Sequence, residues 1–507
     1  MENGMTARLY TAERIWTMDA HRPYVRHMAV ENGRILAVGD EARALGCPEA
    51  VDLGGAAVLP GFIDAHVHFG DLARAKYELD LSEARSAEDV LARLQKHAAT
   101  LTPGEWLFGR RWDESKWPER RYLTRDDLDR ALPNVPVVLR RVCGHLWVAN
   151  TCALERAQVP ADTPGLDAAN GWLREGATDG LKRYREPTPE RLAQAIGYAS
   201  DSVLRLGITS VHDQWSELRP LWEAPAGALR VKVRVGLPDT RLAAACELGL
   251  PTGLGSRFVC MGGIKVFADG SVGARTAALR EPYADDPSTA GGLVCTPEAL
   301  GERVRAAHQH GLQLAVHAIG DRAVDVVVDA LRRAIESAPD RDHRHRIEHC
   351  ELPDRAAVDA LAALGVIASV QPNFIGEWGR AGGMYEERLG PDRWMRMNPL
   401  GTLVRAGVRL AFGSDGMPIG PLYGIWSATQ HPDPAERLTV EQAVACYTAG
   451  SAWAGFEEAE KGRLQPGYAA DFVVLSSDPA RVPVDRIRDI RVLQTYVDGR
   501  RAFDATG

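Results

Sequence analysis

The stretch VLPGFIDAHVHF (residues 58–69) is a nearly unbroken apolar run that closes on two histidines. Short runs of this kind, rich in small or β-branched residues, are what strands look like when helices cover both faces of a parallel sheet. Seven more follow, at 208–213, 231–237, 263–268, 313–317, 346–349, 366–371 and 410–415, each ahead of a helical stretch. From the second to the eighth they recur about every 34 residues, which suits a strand plus crossover helix of roughly 30 residues or more. Eight such units predict an α/β fold of the TIM (β/α)8 barrel type over residues 58–70 and 188–454, and not an open sheet.

One interval breaks the rhythm. The gap between the first two strands is about four times that spacing, too long for a structureless loop. Residues 71–187 are therefore expected to form an inserted subdomain, with a strand at 137–142 and the tryptophans Trp106, Trp112, Trp117, Trp147 and Trp172. An insertion after a barrel strand lies at the C-terminal face, where active sites of such barrels are built, so it is placed to act as a lid or substrate wall. Its tryptophans either face the substrate or form the insertion's own core. At the chain ends, residues 1–57 carry β-type runs around Asn32-Gly33, a strong hairpin signal, and residues 455–507 alternate strand runs with glycine turns. Both ends read as pieces of one small β domain.

Composition excludes several classes of function. At 507 residues with 45% hydrophobic and 25% charged residues, the chain matches ordinary globular usage. A net charge of −8 with no block of like charges argues against a nucleic-acid partner. The N-terminus, MENGMTARLY, has no apolar leader, and no run is long enough to span a membrane. Eight scattered cysteines without a CxxC pair predict a reduced, cytoplasmic protein with no cysteine metal site.

Histidines at strand ends carry the functional argument. His66 and His68 are spaced i, i+2 on a strand, so both imidazoles point to one face and can converge on one ion. Alone, HxH is a weak signal. Lys265, His317, His349 and Asp415 end the fourth, fifth, sixth and eighth strands, and His212-Asp213 ends the second. Imidazole and carboxylate at one end of a barrel suit a divalent transition metal, Zn2+ first, with Mn, Fe or Ni open by ligand type.

LPGFIDAHVH, the lysine of GGIKVFADGSVGARTAAL, AVHAIGDRAV, RIEHCEL, FGSDGMP and GRLQPGYAADFVVL together resemble the amidohydrolase superfamily, in particular its YtcJ-like branch, which includes N-substituted formamide deformylases. GRRWDESKW and PVVLRRVCGHLWVANTCAL within the insertion resemble that branch too. The resemblance covers nearly the whole chain. It implies a (β/α)8 barrel carrying a small β-sandwich built from both termini, and a homo-oligomer, with a dimer expected. It also implies one or two metal ions held by His66, His68, His317, His349 and Asp415. In several relatives the lysine at the position of Lys265 is carboxylated by CO2 and bridges two metals. An ordinary lysine in an ion pair beside a single metal is the alternative.

The expected activity is hydrolysis of a non-peptide carbon–nitrogen bond in a small amide-type substrate by metal-activated water, with Asp415 as general base. His317 or His349 is the alternative catalytic residue, steadying the oxyanion if one metal binds. Candidate substrate contacts are His145, Trp112, Trp147 and Arg275, and the tryptophan-rich insertion favours an apolar or aromatic N-substituent. His145 can instead pack against Trp147, Arg275 can sit in a salt bridge, and Asp213 can orient a histidine or cap a helix. His308, His310, His343, His345 and His431 read as solvated or structural. A deaminase of amino-heterocycles, an esterase or lactonase, and a non-catalytic regulatory protein on the same scaffold are the competing readings.

Overall fold

The computed structural model describes residues 6–185, 188–214, 218–339 and 341–505. The first five residues of the leader reading and the expected end of the insertion at 187 lie outside them. Eight parallel strands form one sheet in chain order: β1 (Phe62–Val67), β2 (Ile208–Gln214), β3 (Lys232–Pro238), β4 (Val259–Phe267), β5 (Leu314–Ala318), β6 (Arg346–His349), β7 (Ile367–Val370) and β8 (Leu410–Phe412). Each strand expected from the apolar runs is present. The ring is drawn together where β8 ends, because the amides of Ser414 and Asp415 donate to the His66 carbonyl at 3.2 and 2.7 Å. Gly413 permits that approach, since a Cβ there would stand 2.4 Å from the His66 amide nitrogen.

The helices that cover the sheet follow from their sequences. In Asp321–Ser337 the buried residues Val324, Val327, Val328, Leu331 and Ile335 fall on one stripe, the 3.6-residue period of an amphipathic helix. Thr188, Thr296 and Asp354 open three others, each accepting an amide hydrogen bond at its helix start. Such caps stabilise by about 1 kcal/mol apiece.

The first strand begins later than its apolar run. Ala57–Pro60 pairs with Arg8–Trp16 and Phe472–Leu475, in an eight-stranded sheet contributed by both chain ends, and β1 starts only at Phe62. Gly61 marks the switch, because a Cβ there would lie 2.3 Å from the Thr209 hydroxyl of β2. The expected hairpin is present in the end sheet: Tyr24–Glu31 pairs antiparallel with Arg34–Val38, and Asn32 and Gly33 both have positive φ (48° and 78°), as a type I′ turn requires.

Between β1 and β2 runs a third sheet of six short strands, in the order Leu166–Asp167, Trp172–Arg174, Leu146–Ala149, Val137–Arg141, Leu107–Trp112, Leu79–Asp80. Its core holds Leu107, Trp112, Trp117 and Leu139. Four of the five tryptophans lie away from the large cavity at the barrel mouth, and only Trp147 reaches its wall. They bury apolar area within the insertion, which removes the basis for inferring an apolar N-substituent.

Candidate metal centre

Asp64, His66 and His68 alternate along β1 and its extension, so they share one face. Asp64 accepts from the Ser414 amide (3.0 Å), the Ser414 hydroxyl (2.5 Å) and the His66 amide (3.1 Å). It thereby fixes the end of β8 against β1. These contacts bring Asp415 back over His66 with φ at 54°, a backbone region that non-glycine residues seldom adopt. One Asp415 oxygen then stands 3.2 Å from His68 Nε2 and 3.8 Å from His66 Nε2. Donor atoms of His66, His68 and Asp415 all lie within 4.8 Å of one another, close enough to share an ion.

Whether these residues suit a metal is decided by their hydrogen bonds. His66 Nδ1–H donates to the Glu348 carboxylate, which Arg346 grips through Nε and, at 3.0 Å, through Nη2. Nε2 of His66 is thus left with its lone pair, buried and without a hydrogen-bond partner among the described residues. A carboxylate that orients an imidazole so that its other nitrogen is bare is the arrangement metal sites use. The buried Nδ1 of His349 also lacks a partner. His317 Nε2–H donates to the Gly270 carbonyl at 2.9 Å, leaving Nδ1 as its basic nitrogen. The donor set fits a divalent metal ion.

His317 and His349 stand beside this group, outside its tight set of three. Ring centroids are 4.8 Å apart for His66 and His349 and 4.4 Å for His317 and His349. Strand alternation would send Glu348 and His349 to opposite faces, but His349 ends β6 with φ at 71°, and both side chains reach His66. Lys265, on β4, is 1% exposed, with Nζ 4.8 Å from the centre of the Phe267 ring. All six residues line one cavity of about 1100 Å³.

Burial sets the protonation states. It holds the imidazolium of His66 down to a pKa of about 4 and those of His317 and His349 well below the ordinary value. All three are therefore neutral at pH 7, the form that ligates metal. Burial also lowers Lys265 to about 8, against the pull of Glu348 and Asp415. Burial would raise Asp415, but its hydrogen bond to His68 and the neighbouring His66 and Lys265 bring it to about 2.

The softer candidates separate. His145 and Trp147 line the cavity. His145 Nδ1 bonds Glu175 at 2.9 Å, and that carboxylate overrides the effect of burial and raises the imidazole to about 9. Trp112 is fully buried in the insertion's core and Arg275 is held by Asp285 at 2.7 Å, so neither reaches the cavity wall. Asp213 accepts the Phe69 amide at 2.9 Å, which is helix capping. Sequence reading missed Asp64, Glu175, Arg346 and Glu348. The signal for the last two was present: two charges at i, i+2 in the strand RIEH must share a face and need a partner there.

A parallel eight-stranded barrel gathering histidines and a carboxylate at its C-terminal mouth defines the class of metal-dependent barrel hydrolases. Residues 49–503 match the model of the Amidohydrolase family, and the chain belongs to that family. It is 31% identical to YtcJ of Bacillus subtilis (strain 168), which carries an amidohydrolase name, over 97% of this chain and 98% of that one. It is 27% identical to the N-substituted formamide deformylase of Arthrobacter pascens, over 97% of each. Among solved structures, an uncharacterized metal-dependent hydrolase from Pyrococcus horikoshii OT3 superposes with a TM-score of 0.77 at 29% identity, covering 95% of this chain and 99% of that one. The protein is accordingly an enzyme, a hydrolase of carbon–nitrogen bonds.

Proposed function

We propose that the protein hydrolyses an amide-type, non-peptide carbon–nitrogen bond, such as that of an N-substituted formamide or another N-acyl amine, with Asp415 as general base. The observation that carries this reading is the convergence of His66, His68 and Asp415 within 4.8 Å, with His66 Nε2 left bare by its bond to Glu348. These three residues would hold one divalent ion, and His317, His349 and a carboxylated Lys265 would be the residues to hold a second where one binds. A bound Zn2+ or similar ion supplies a water acidic enough to ionise near pH 7 and polarises a carbonyl.

The chain's own residues do the rest. Asp415, ionised at neutral pH, accepts the proton of the attacking water and returns it to the leaving amine nitrogen. His145, kept protonated by Glu175 and with its ring tilted against that of His317 at 5.3 Å between centroids, offers a charged donor to the carbonyl oxygen as it gains negative charge. Lys265 is held at about 8, so its neutral amine is accessible for reaction with CO2. In this reading the insertion at 71–187 acts as the substrate wall over the barrel mouth.

Metal analysis of the purified protein, followed by a screen of N-formyl and N-acyl amines, cyclic amides, esters and amino-heterocycles, tests the reading. One or two equivalents of transition metal and release of an amine are expected. Full activity in metal-free protein, or turnover of esters or amino-heterocycles alone, would sink it.

A further inference from the structure

Inside the barrel, next to the metal centre, stand Arg346, Glu348, His212 and Ser369, each at most 3% exposed. Layers of Val, Ile and Leu usually fill that space in barrels of this kind. Arg346 and Glu348 share a face of β6 at i, i+2, and Nε and Nη2 of the guanidinium already satisfy that carboxylate. Its other hydrogen bonds cross the barrel to β1, β2 and β7. Nη2 also donates to the Ala65 carbonyl and to the Ser369 hydroxyl oxygen (2.7 Å), and Nη1 donates to His212 Nδ1 (3.0 Å).

An arginine only donates, so His212 Nδ1 is the acceptor and the ring hydrogen sits on Nε2. That hydrogen faces Glu457 at 3.7 Å, and Lys461 holds Glu457 at 2.8 Å while donating to the Ser210 hydroxyl oxygen at 3.0 Å. Burial, reinforced by Arg346 and Arg234 against Glu457, keeps His212 at about 4. The imidazole is therefore neutral at pH 7, and its lone pair stays available to Arg346.

Two observations separate this network from core filling. A buried ion pair adds little to stability beyond what apolar side chains of the same volume supply, so packing does not call for the arginine. The Ala65 carbonyl, moreover, lies where β1 leaves its ladder. Asp64 and Val67 pair with Val211 and Asp213, so β1 carries one residue more than β2 over that stretch. Such a slip leaves the extra residue without regular pairing, and Arg346 grips the backbone there, one residue ahead of His66.

We propose that Arg346 is a positioning residue for the metal centre, holding in one grip the carboxylate that orients His66 and the backbone that carries it, and that His212 and Ser369 aim its guanidinium. The inference rests on the metal-binding reading of His66 and is independent of which bond the enzyme cleaves. Without His212 the guanidinium loses its anchor on β2, the Glu348 carboxylate loses its fixed register with His66 Nδ1, and Nε2 is no longer held on one line towards an ion.

The test measures Zn2+ affinity by competition with a chromophoric chelator, and the visible spectrum of the Co2+-loaded protein, in wild type, His212→Leu, His212→Asn and Ser369→Ala, each alone and combined with Glu348→Gln. Denaturant unfolding of the metal-free samples is read alongside. His212→Leu removes the acceptor and is expected to weaken binding by about three- to tenfold, less than the roughly 10–100-fold that follows loss of the orienting carboxylate itself, and to shift the Co2+ bands. His212→Asn places an oxygen near the position of Nδ1 and restores most of both. Ser369→Ala loses one acceptor and little volume, and changes both in the same direction as His212→Leu. With Glu348→Gln each loss shrinks, because the residues act through that carboxylate. Wild-type affinity and spectrum in both His212→Leu and Ser369→Ala, a His212→Asn variant as weak as His212→Leu, or losses that add in full to that of Glu348→Gln overturn the proposal. Lower metal-free stability with affinity intact assigns the network to packing and overturns it too. If His212→Leu does not fold, Ser369→Ala and its double variant decide by the same criteria. A wild type that takes up no metal defeats the metal reading itself, a result seen before any variant is compared.

Discussion

The barrel holds two clusters of histidines, one at each end, and they differ in a single respect. At the end away from the mouth, His308, His343 and His345 form a closed set. Leu314 N–H donates to His345 Nδ1 at 3.1 Å, His345 Nε2–H to His308 Nδ1 at 2.8 Å, and His308 Nε2–H to the Ala338 carbonyl at 3.1 Å. His343 takes the His345 amide on Nδ1 at 2.9 Å and gives Nε2–H to the Leu364 carbonyl at 3.0 Å. All six ring nitrogens have a partner. At the mouth, Nε2 of His66 and Nδ1 of His349 have none among the described residues. Proximity alone therefore does not tell the two clusters apart, whereas buried lone pairs left without a donor do, because interiors usually satisfy them.

The largest effect that would sharpen this contrast lies at Asp415. On the proposed mechanism Asp415→Asn keeps an oxygen and most of the metal but removes the base, so turnover should fall by about 10²–10⁴-fold, the range of general base catalysis. Metal content and kcat measured on the same sample check it. A variant with intact turnover would take Asp415 out of the proton path.

Next in size is Glu348. Among the described residues its one hydrogen bond to a mouth histidine is with His66 Nδ1, and that bond decides which nitrogen of His66 is bare. Glu348→Gln keeps the shape and weakens the orienting bond. Metal affinity should drop by about 10–100-fold, the usual effect of losing such a partner, as read by competition with a chromophoric chelator. Unchanged affinity would mean that His66 is poised by packing alone.

Much of this was legible in the chain and some was not, for definite reasons. The eight buried strands announce themselves because both faces are covered, and HxH at 66–68 and the terminal positions of Lys265, His317, His349 and Asp415 follow from that register. What escaped lies where contacts run between distant segments. Glu348 meets His66 across 282 positions of sequence, and Asp64 meets Ser414 across 350; no local pattern states such a pairing. The tryptophans misled for a related reason. An aromatic residue in an insertion reads the same whether it lines a cavity or fills a core, and Trp112 fills a core. Asn32-Gly33, by contrast, forms the expected turn because its signal is entirely local.

The smallest effect concerns the satisfied cluster, and it is a test of the comparison from the other side. Burial lowers the imidazolium pKa of His308 and His343, and of His345 well below its ordinary value, where its two histidine neighbours add to the effect. Arg341 reinforces the shift at His308, while Asp342 opposes it at His343. Each Nδ1 accepts a hydrogen bond, so protonating it removes that bond. For a histidine whose folded pKa is depressed, the stabilisation is fully present above about 6.5 and is lost as pH falls from there towards the folded value, because the unfolded chain binds the extra proton. Each such histidine contributes a slope of about 1.4 kcal/mol per pH unit in that window. Denaturant unfolding at pH 7.5, 6.5 and 5.5 should therefore show wild type losing stability faster than His345→Gln below pH 6.5, by about that slope. The mouth histidines are common to both proteins and cancel in the difference. Parallel curves would mean that the closed set tolerates a proton, and that full satisfaction of its nitrogens is not what separates it from the metal centre.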